Sequence, residues 1–420
     1  NKLKVLCATL TIAQGINFPV SSVFLSSRFF NSGKKQVEMK TRDFWNLAGR
    51  AGRLQHDSVG VIGLAAGEEP GKIRKFVSQA TGELASQLVK LLDELGQTGK
   101  LHDLESVINY EQWTDFRCYV AHLWNEKKNL DAVLSETEQL LRNTYGYGIL
   151  RSTPGGNEKA DALLKATKYY VQKIAEHPEN ATLADATGFD PQGVGKALQE
   201  LNKLEKKLTI TDWMPESLFK RKTGNHLSKL FGIMLQLPQI KKQLEEIKGQ
   251  GLSHQQIANM SMAWVSGESI QEIAKKYFKG EDTDRITDTC KAIYRNLVNN
   301  GAWGIAALSK MPTSGIDFAS LSEKETRCIN LLPSMLYHGV RTEEAVLMRM
   351  NLLPRSIAAQ MGEKFREETG GDDKYKSVGR AREFLKSLKE KDWESVKPKR
   401  SHLSGMQYKQ IWEILSGEGR

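Results

Sequence analysis

Residues 43–53 read DFWNLAGRAGR. Two arginines, Arg50 and Arg53, lie three positions apart, each directly after a glycine, Gly49 and Gly52. A guanidinium matches phosphate oxygens in a planar, bidentate way. A glycine beside it lets backbone and ligand approach closely. Set against the terminal phosphate of a nucleotide, such a pair stabilises the charge that develops during phosphoryl transfer. The stretch also has an ordinary reading, because glycines cap helix ends and arginines decorate surfaces. It is not the dinucleotide fingerprint, which must follow a strand and open a helix.

The flanks place the pair in an alternating pattern. Residues 4–8, KVLCA, have strand character, and 9–19, TLTIAQGINFP, end in a turn. Residues 21–30, SSVFLSSRFF, read as a strand. NSGKK is a turn, and QVEMK returns as the second arm of a hairpin. TRDFWNLA reads as a short helix with Thr41 or Asp43 as cap, and 58–66, SVGVIGLAA, as a buried strand. Strand, loop, hairpin, helix and strand make an α/β organisation. From about 71 to 308 the apolar spacing is helical, with 83–95 amphipathic. Residues 129–152 read as a helix followed by a strand-like piece, and 152–159, STPGGNEK, as a linker.

Composition narrows the partners. The chain has 420 residues, room for several domains with real cores, and a formal net charge of +10. That balance suits a polyanion, although many basic proteins bind none. No run of about 18 uncharged apolar residues occurs, so no membrane span is expected. The first residue is Asn1, and 3–20 read as strand and loop rather than as a signal peptide, so the chain is expected to start within a domain. Cys7, Cys118, Cys290 and Cys328 are far apart, with neither CxxC nor HExxH spacing, which predicts no metal site and no disulfide framework. A reducing, cytoplasmic setting is expected.

The order ATLTIAQGINFP, then NLAGRAGR about thirty residues on, resembles motifs V and VI of superfamily-two helicases of the Ski-like branch, which includes the archaeal repair helicases. There motif V reads roughly T-x-T-L-A-x-G-V-N-L-P and motif VI reads Q-x-x-G-R-A-G-R. Thr9, Thr11, Ala13, Gly15, Asn17 and Pro19 fit the first, with Ile12 where leucine is usual. Gly49 to Arg53 fit the second, and Asn46 stands where the family has glutamine. The resemblance implies that Arg50 and Arg53 act on the γ-phosphate of ATP, with Gly49, Gly52 and Asn46 at the nucleotide. It implies that Gly15 and Asn17 couple nucleotide to nucleic acid, and that Thr9 and Thr11 bond the nucleic-acid backbone without reading sequence. The hairpin between the motifs corresponds to a strand-splitting pin, offering Phe29 and Phe30 to stack on bases beside Lys34 and Lys35.

The family binds ATP and Mg²⁺ mainly through a first RecA-like lobe. No GxxxxGK[ST] occurs here: GEEPGKI and QTGKLH fail in spacing or hydroxyl, and DELG at 93–96 follows motif VI. The chain is therefore expected to pair with an N-terminal RecA-like lobe of the same protein and not to hydrolyse ATP by itself. The implied order is part of a second RecA-like domain (1–75), a winged helix (76–165), a ratchet-like helical bundle (166–310), a degenerate helix-hairpin-helix-like domain (311–370) and a basic helical C-terminal segment (371–420). Residues 183–201 read either as a helix-turn-helix reader or, preferably, as the start of the bundle. Residues 263–308 resemble the segment ending in the ratchet helix. Arg285 matches its arginine, Ala292 stands where its tryptophan would be, and Tyr294 and Arg295 are rotated off that face. Residues 332–362 resemble the terminal domain, with Leu352 and Pro354 where hairpin glycines are usual. Residues 373–400 are basic, by default a solvated tail.

The implied function is translocation along single-stranded or tailed duplex nucleic acid, DNA favoured. A divergent anti-phage helicase of the Hachiman type, with a nuclease subunit as partner, is one form of it. A non-enzymatic clamp on a helicase-derived scaffold is the alternative.

Overall fold

The computed structural model describes residues 22–32, 35–39, 44, 61–65, 71, 113–152, 154–220, 226–248, 251–399 and 401–418. The stretch 21–30, expected as one strand, divides into β1 (Ser22–Leu25) and β2 (Phe29–Ser32). Ser27 Oγ accepts the Phe29 amide at 3.0 Å, a local bond that turns the chain between the two. β1 pairs in parallel with β4 (Val61–Leu64), from Ser22 opposite Val61 to Leu25 opposite Leu64. A parallel pair needs a long crossover, as α/β organisation requires. Gly63 sits opposite Phe24 and has no side chain, and the Phe24 ring takes the space that a Cβ would need. β2 pairs antiparallel with β3 (Lys35–Glu38), giving the expected hairpin, and the Met39 amide extends it by donating to the Arg28 carbonyl at 2.7 Å.

These strands belong to one of two compact units, Asn1–His102 with Arg142–Asp161; the other comprises Asp103–Leu141 with Ala162–Arg420. The described part of the protein is mostly helical with few strands. Helix α1 spans Thr114–Lys127 and α2 spans Leu130–Arg142. The piece expected to be strand-like is instead α3 (Tyr145–Ser152). Thr144 restarts the helix, its hydroxyl accepting the Tyr147 amide at 3.2 Å, and Tyr147 and Leu150 are buried at i, i+3 spacing. The expected linker is short: Gly155 takes φ 69°, and α4 (Gly156–Glu176) begins at the next residue.

In the larger unit, α5 (Pro178–Thr187) and α6 (Pro191–Asn202) are joined by a turn in which Gly188 has φ 73°. Asp190 caps α6, accepting the Gly193 amide at 2.7 Å, and also accepts from Arg117 Nε of α1 at 2.6 Å. Both side chains are buried, 0% and 1% exposed. This pair therefore ties α1 to the start of α6. Short α7 (Ile210–Trp213) and α8 (Pro215–Leu218) lead to α9 (His226–Met234), α10 (Pro238–Lys248), α11 (His254–Val265), α12 (Ile270–Tyr277) and α13 (Asp282–Cys290). A π-helical turn, Lys291–Leu297, then runs into α14 (Val298–Ser309). Ser253 with Gln256, Ser269 with Glu272 and Ser404 with Gln407 form reciprocal caps, satisfying amides that the first turn leaves without partners.

The last helices are α15 (Glu323–His338), α16 (Glu343–Met350), α17 (Arg355–Glu368), α18 (Val378–Ser387), α19 (Glu390–Val396) and α20 (Gly405–Ser416). The turn between α16 and α17 puts Leu352 at φ 65°. Gly362 lets α17 lie against the start of α16, since a Cβ there would sit 2.8 Å from the Ala345 nitrogen. The basic stretch 373–400 is no solvated tail. Phe384, Leu385, Trp393, Val396 and Trp412 are buried, and the Trp393 and Trp412 rings lie 5.7 Å apart. Indole N–H groups bond the unit across long sequence separations: Trp213 to the Ser314 carbonyl (2.9 Å), Trp264 to Leu336 (2.9 Å), Trp303 to Thr187 (2.7 Å) and Trp412 to Asn351 (2.9 Å).

Candidate nucleic-acid interface

The residues singled out for catalysis, ATP and coupling, Gly15, Asn17, Asn46, Gly49, Arg50, Gly52 and Arg53, lie outside the described residues, as do the nucleic-acid candidates Thr9, Thr11 and Lys34. The described candidates are Phe29, Phe30, Lys35 and Arg285.

The hairpin register runs Phe29 opposite Glu38, Phe30 opposite Val37, Asn31 opposite Gln36 and Ser32 opposite Lys35. The phenylalanines thus stand at its base, and Lys35 belongs to the pair nearest the turn. Phe29 is half-buried beneath Arg28, whose guanidinium carbon lies 4.6 Å from the ring centroid. Arg28 Nε in turn pairs with Glu38 at 3.1 Å, the cross-strand neighbour of Phe29. The arginine is held between an aromatic face and a carboxylate, a cation–π arrangement that stiffens the base of the hairpin.

Arg285 lies in the first turn of α13, where its guanidinium pairs with Asp282 and its carbonyl accepts from the Thr289 hydroxyl at 2.7 Å. An exposed i, i+3 pair of this kind contributes little and exchanges readily. Ala292 is fully buried, so the position where the resembling family carries tryptophan faces the core here. Two residues on, Tyr294 emerges from the π turn 54% exposed. The sequence places Tyr294 off the Arg285 face by α-helical geometry. The π turn's i→i+5 spacing changes the helical phase between the two, and no local sequence signal announces it.

The sequence reading missed the residues that surround Tyr294. Trp264 of α11 stands edge-on to the Tyr294 ring at 5.5 Å. Arg355 of α17 lies over the Trp264 ring at 4.0 Å and donates to the Trp264 carbonyl at 2.8 Å. Burial lowers the pKa of Arg355 to about 10, with Arg349 adding to the effect and Tyr294 and Glu272 opposing it, so the group stays charged at neutral pH. Burial also lowers Arg349 and His338, the latter helped by the Arg349 charge. Among the described residues there is no cluster of three or more His, Cys, Asp or Glu able to hold a metal ion, and no helix long and apolar enough to cross a membrane.

No protein-family model matches the chain. It is 42% identical over 59 residues to the Hachiman protein HamB of Bacillus cereus, covering 14% of this chain and 5% of that protein. It is 38% identical over 80 residues to the antiviral helicase SKI2 of Saccharomyces cerevisiae, 19% of this chain and 6% of that protein. It is 28% identical over 120 residues to the RQC trigger complex helicase SLH1 of the same yeast, 27% of this chain and 6% of that protein. The chain therefore matches only a small fraction of the length of these relatives, and over those short segments it is related to helicases.

Proposed function

We propose that the chain is part of an ATP-dependent nucleic-acid helicase or translocase of the Ski-like branch: the end of a second RecA-like lobe followed by helical domains that track the strand. What carries the reading is the ordered pair TLTIAQGINFP and AGRAGR in a chain that shares segments with helicases. The β1–β4 parallel pair and the intervening hairpin are compatible with such a lobe. In this reading Arg50 and Arg53 supply positive charge to the γ-phosphate, and ATP with Mg²⁺ is held mainly by a preceding lobe. The strand is single-stranded or tailed duplex, DNA favoured, and antiviral defence is the favoured setting because two of the relatives carry names from that field.

The test uses the full-length protein. Arg53→Ala abolishes phosphate release stimulated by single strand, while strand binding persists. Turnover near wild type in that variant removes the arginine from catalysis and the helicase assignment with it.

A further inference from the structure

Asn351, in the turn between α16 and α17, joins three elements. Its backbone carbonyl accepts the Trp412 indole N–H of α20 at 2.9 Å, and its side-chain amide donates to the Val378 carbonyl of α18 at 3.0 Å. Asn351 is buried, yet the side chains around it are not. Met350 and Leu352, on either side of it, are each 50% exposed, and Val378 is 37% exposed. Leu415, three residues beyond Trp412 and so beside it on α20, is 57% exposed, and Ile414 is 76% exposed. Ile411, Ile414 and Leu415 stand at i, i+3 and i+4, one stripe of that helix. Apolar residues scattered singly over a surface are ordinary, but these are gathered on elements bonded to one buried residue.

Two further features point to a ligand. Leu352 holds φ 65°, a conformation that glycine takes at less cost, and its half-exposed side chain adds little to the core. Arg349, next to Met350, donates to the Leu353 carbonyl; its Nε has no hydrogen-bond partner, and no carboxylate pairs with it among the described residues. Burial lowers its pKa, so this cation is desolvated without a counter-charge. Beside Leu415, Arg382 and Lys386 of α18 share one carboxylate, that of Glu418, at 2.8 Å each. Arg382 also donates to the carbonyl of Ser416, the residue after Leu415, at 3.0 Å. Positive charge is thus in excess both beside the Asn351 turn and beside the end of α20.

A carboxylate supplies what Arg349 lacks. The exposed side chains gathered around Asn351 are aliphatic and offer no ring for a base to stack on, which favours a protein over a nucleic acid. Among the described residues every element of the larger unit is helical, so recognition there rests on side-chain anchors, as when a helix lays its apolar face on a surface. We propose that this surface docks an acidic amphipathic helix of a partner protein, with its aliphatic side chains on Met350, Leu352 and Leu415 and its carboxylates toward Arg349, Arg382 and Lys386. The docking surface goes beyond the helicase reading and does not depend on it.

The 420-residue chain is titrated by anisotropy with a fluorescein-labelled helical peptide that carries leucines at i, i+3, i+4 and i+7 and glutamates on its other face. A second peptide has lysines in place of the glutamates. The glutamate peptide binds and the lysine peptide does not, because the charge around the anchors is positive. Leu352→Gly and Leu415→Ala each weaken the glutamate peptide roughly 3- to 15-fold, as loss of half a leucine's burial predicts. Leu415→Ala leaves the urea midpoint unchanged, so its weaker binding is not loss of fold. A benzophenone side chain in place of one peptide leucine, which needs no variant of the protein, crosslinks to residues 349–352 or 411–415. Peptides that bind alike or not at all, variants that bind as wild type, or adducts elsewhere overturn the surface. Oligo-dT that displaces the glutamate peptide from these residues gives the surface to nucleic acid, and a dimer in sedimentation velocity that Leu415→Ala dissolves gives it to a second copy; either result overturns the proposal. Each of these failures leaves the helicase reading standing, since that reading is tested by the turnover of Arg53→Ala.

Discussion

Leu352 holds a left-handed backbone, φ 65°, with its side chain half exposed. That conformation costs an L-residue about 1–2 kcal/mol, and glycine avoids it at an entropic cost of roughly 0.5–1 kcal/mol. Leu352→Gly is therefore expected to stabilise the protein by about 0.5–1 kcal/mol, read as a raised midpoint in urea unfolding; a lowered midpoint would show that the leucine's contacts outweigh the strain. The backbone here takes the form that a hairpin glycine favours, although the residue is leucine. Sequence shows the substitution but not the dihedral, because tertiary packing of α16 on α17 imposes it. Cys118 gives a second local test. Burial pushes its thiol up to about 11, Asp190 and Asp115 add to the shift, and Arg117 opposes it. Since the thiolate is the nucleophile, alkylation of Cys118 in the native protein should be slow at pH 8 and keep rising toward pH 11. Peptide-level mass spectrometry after timed iodoacetamide treatment measures it, and a plateau near pH 9 would contradict the burial argument.

Among the elements, the hairpin is legible, and local cap chemistry marks several helix starts that the sequence reading did not single out. The S-x-x-E/Q pattern fixes the starts of α11, α12, α15 and α20 whatever surrounds them. The hairpin is equally local, a turn between two short arms. The run YGYGILRS has strand-like chemistry because aromatic and β-branched residues with glycine suit either state, and burial of Tyr147 and Leu150 decides for helix. The basic C-terminal stretch was misjudged by its charge, since tryptophans spaced far apart in sequence form its core only once α19 and α20 pair. The Arg117–Asp190 pair was also invisible, as its partners are 73 residues apart. It makes an element-scale prediction. Asp190→Ala removes the α6 cap and leaves the Arg117 guanidinium buried without its counter-charge, a loss of about 3–5 kcal/mol. Asp190→Asn keeps a capping oxygen and loses less. Thermal melts of the two variants rank them; equal losses would mean that the counter-charge alone matters and the cap contributes nothing.

For the whole molecule, the question is whether its excess positive charge is used on a strand. A net charge of +10 spread evenly gives weak, diffuse attraction, whereas a track concentrates phosphate contacts and yields steep salt dependence. Arg285 tests the difference. Its pairing with Asp282 is exposed and inexpensive to exchange for a phosphate, and Arg285 leads by one helix into the π turn that presents Tyr294. If it contacts the strand, Arg285→Ala should flatten the slope of log affinity against log salt by about 0.7, one phosphate's share on a single strand. Lys203→Ala, which removes an exposed cation paired with Glu200, should leave the slope unchanged. Anisotropy titrations over a salt series separate the two. A slope that does not move with Arg285→Ala would take this arginine off the strand, leaving it as a helix-end ion pair with Asp282.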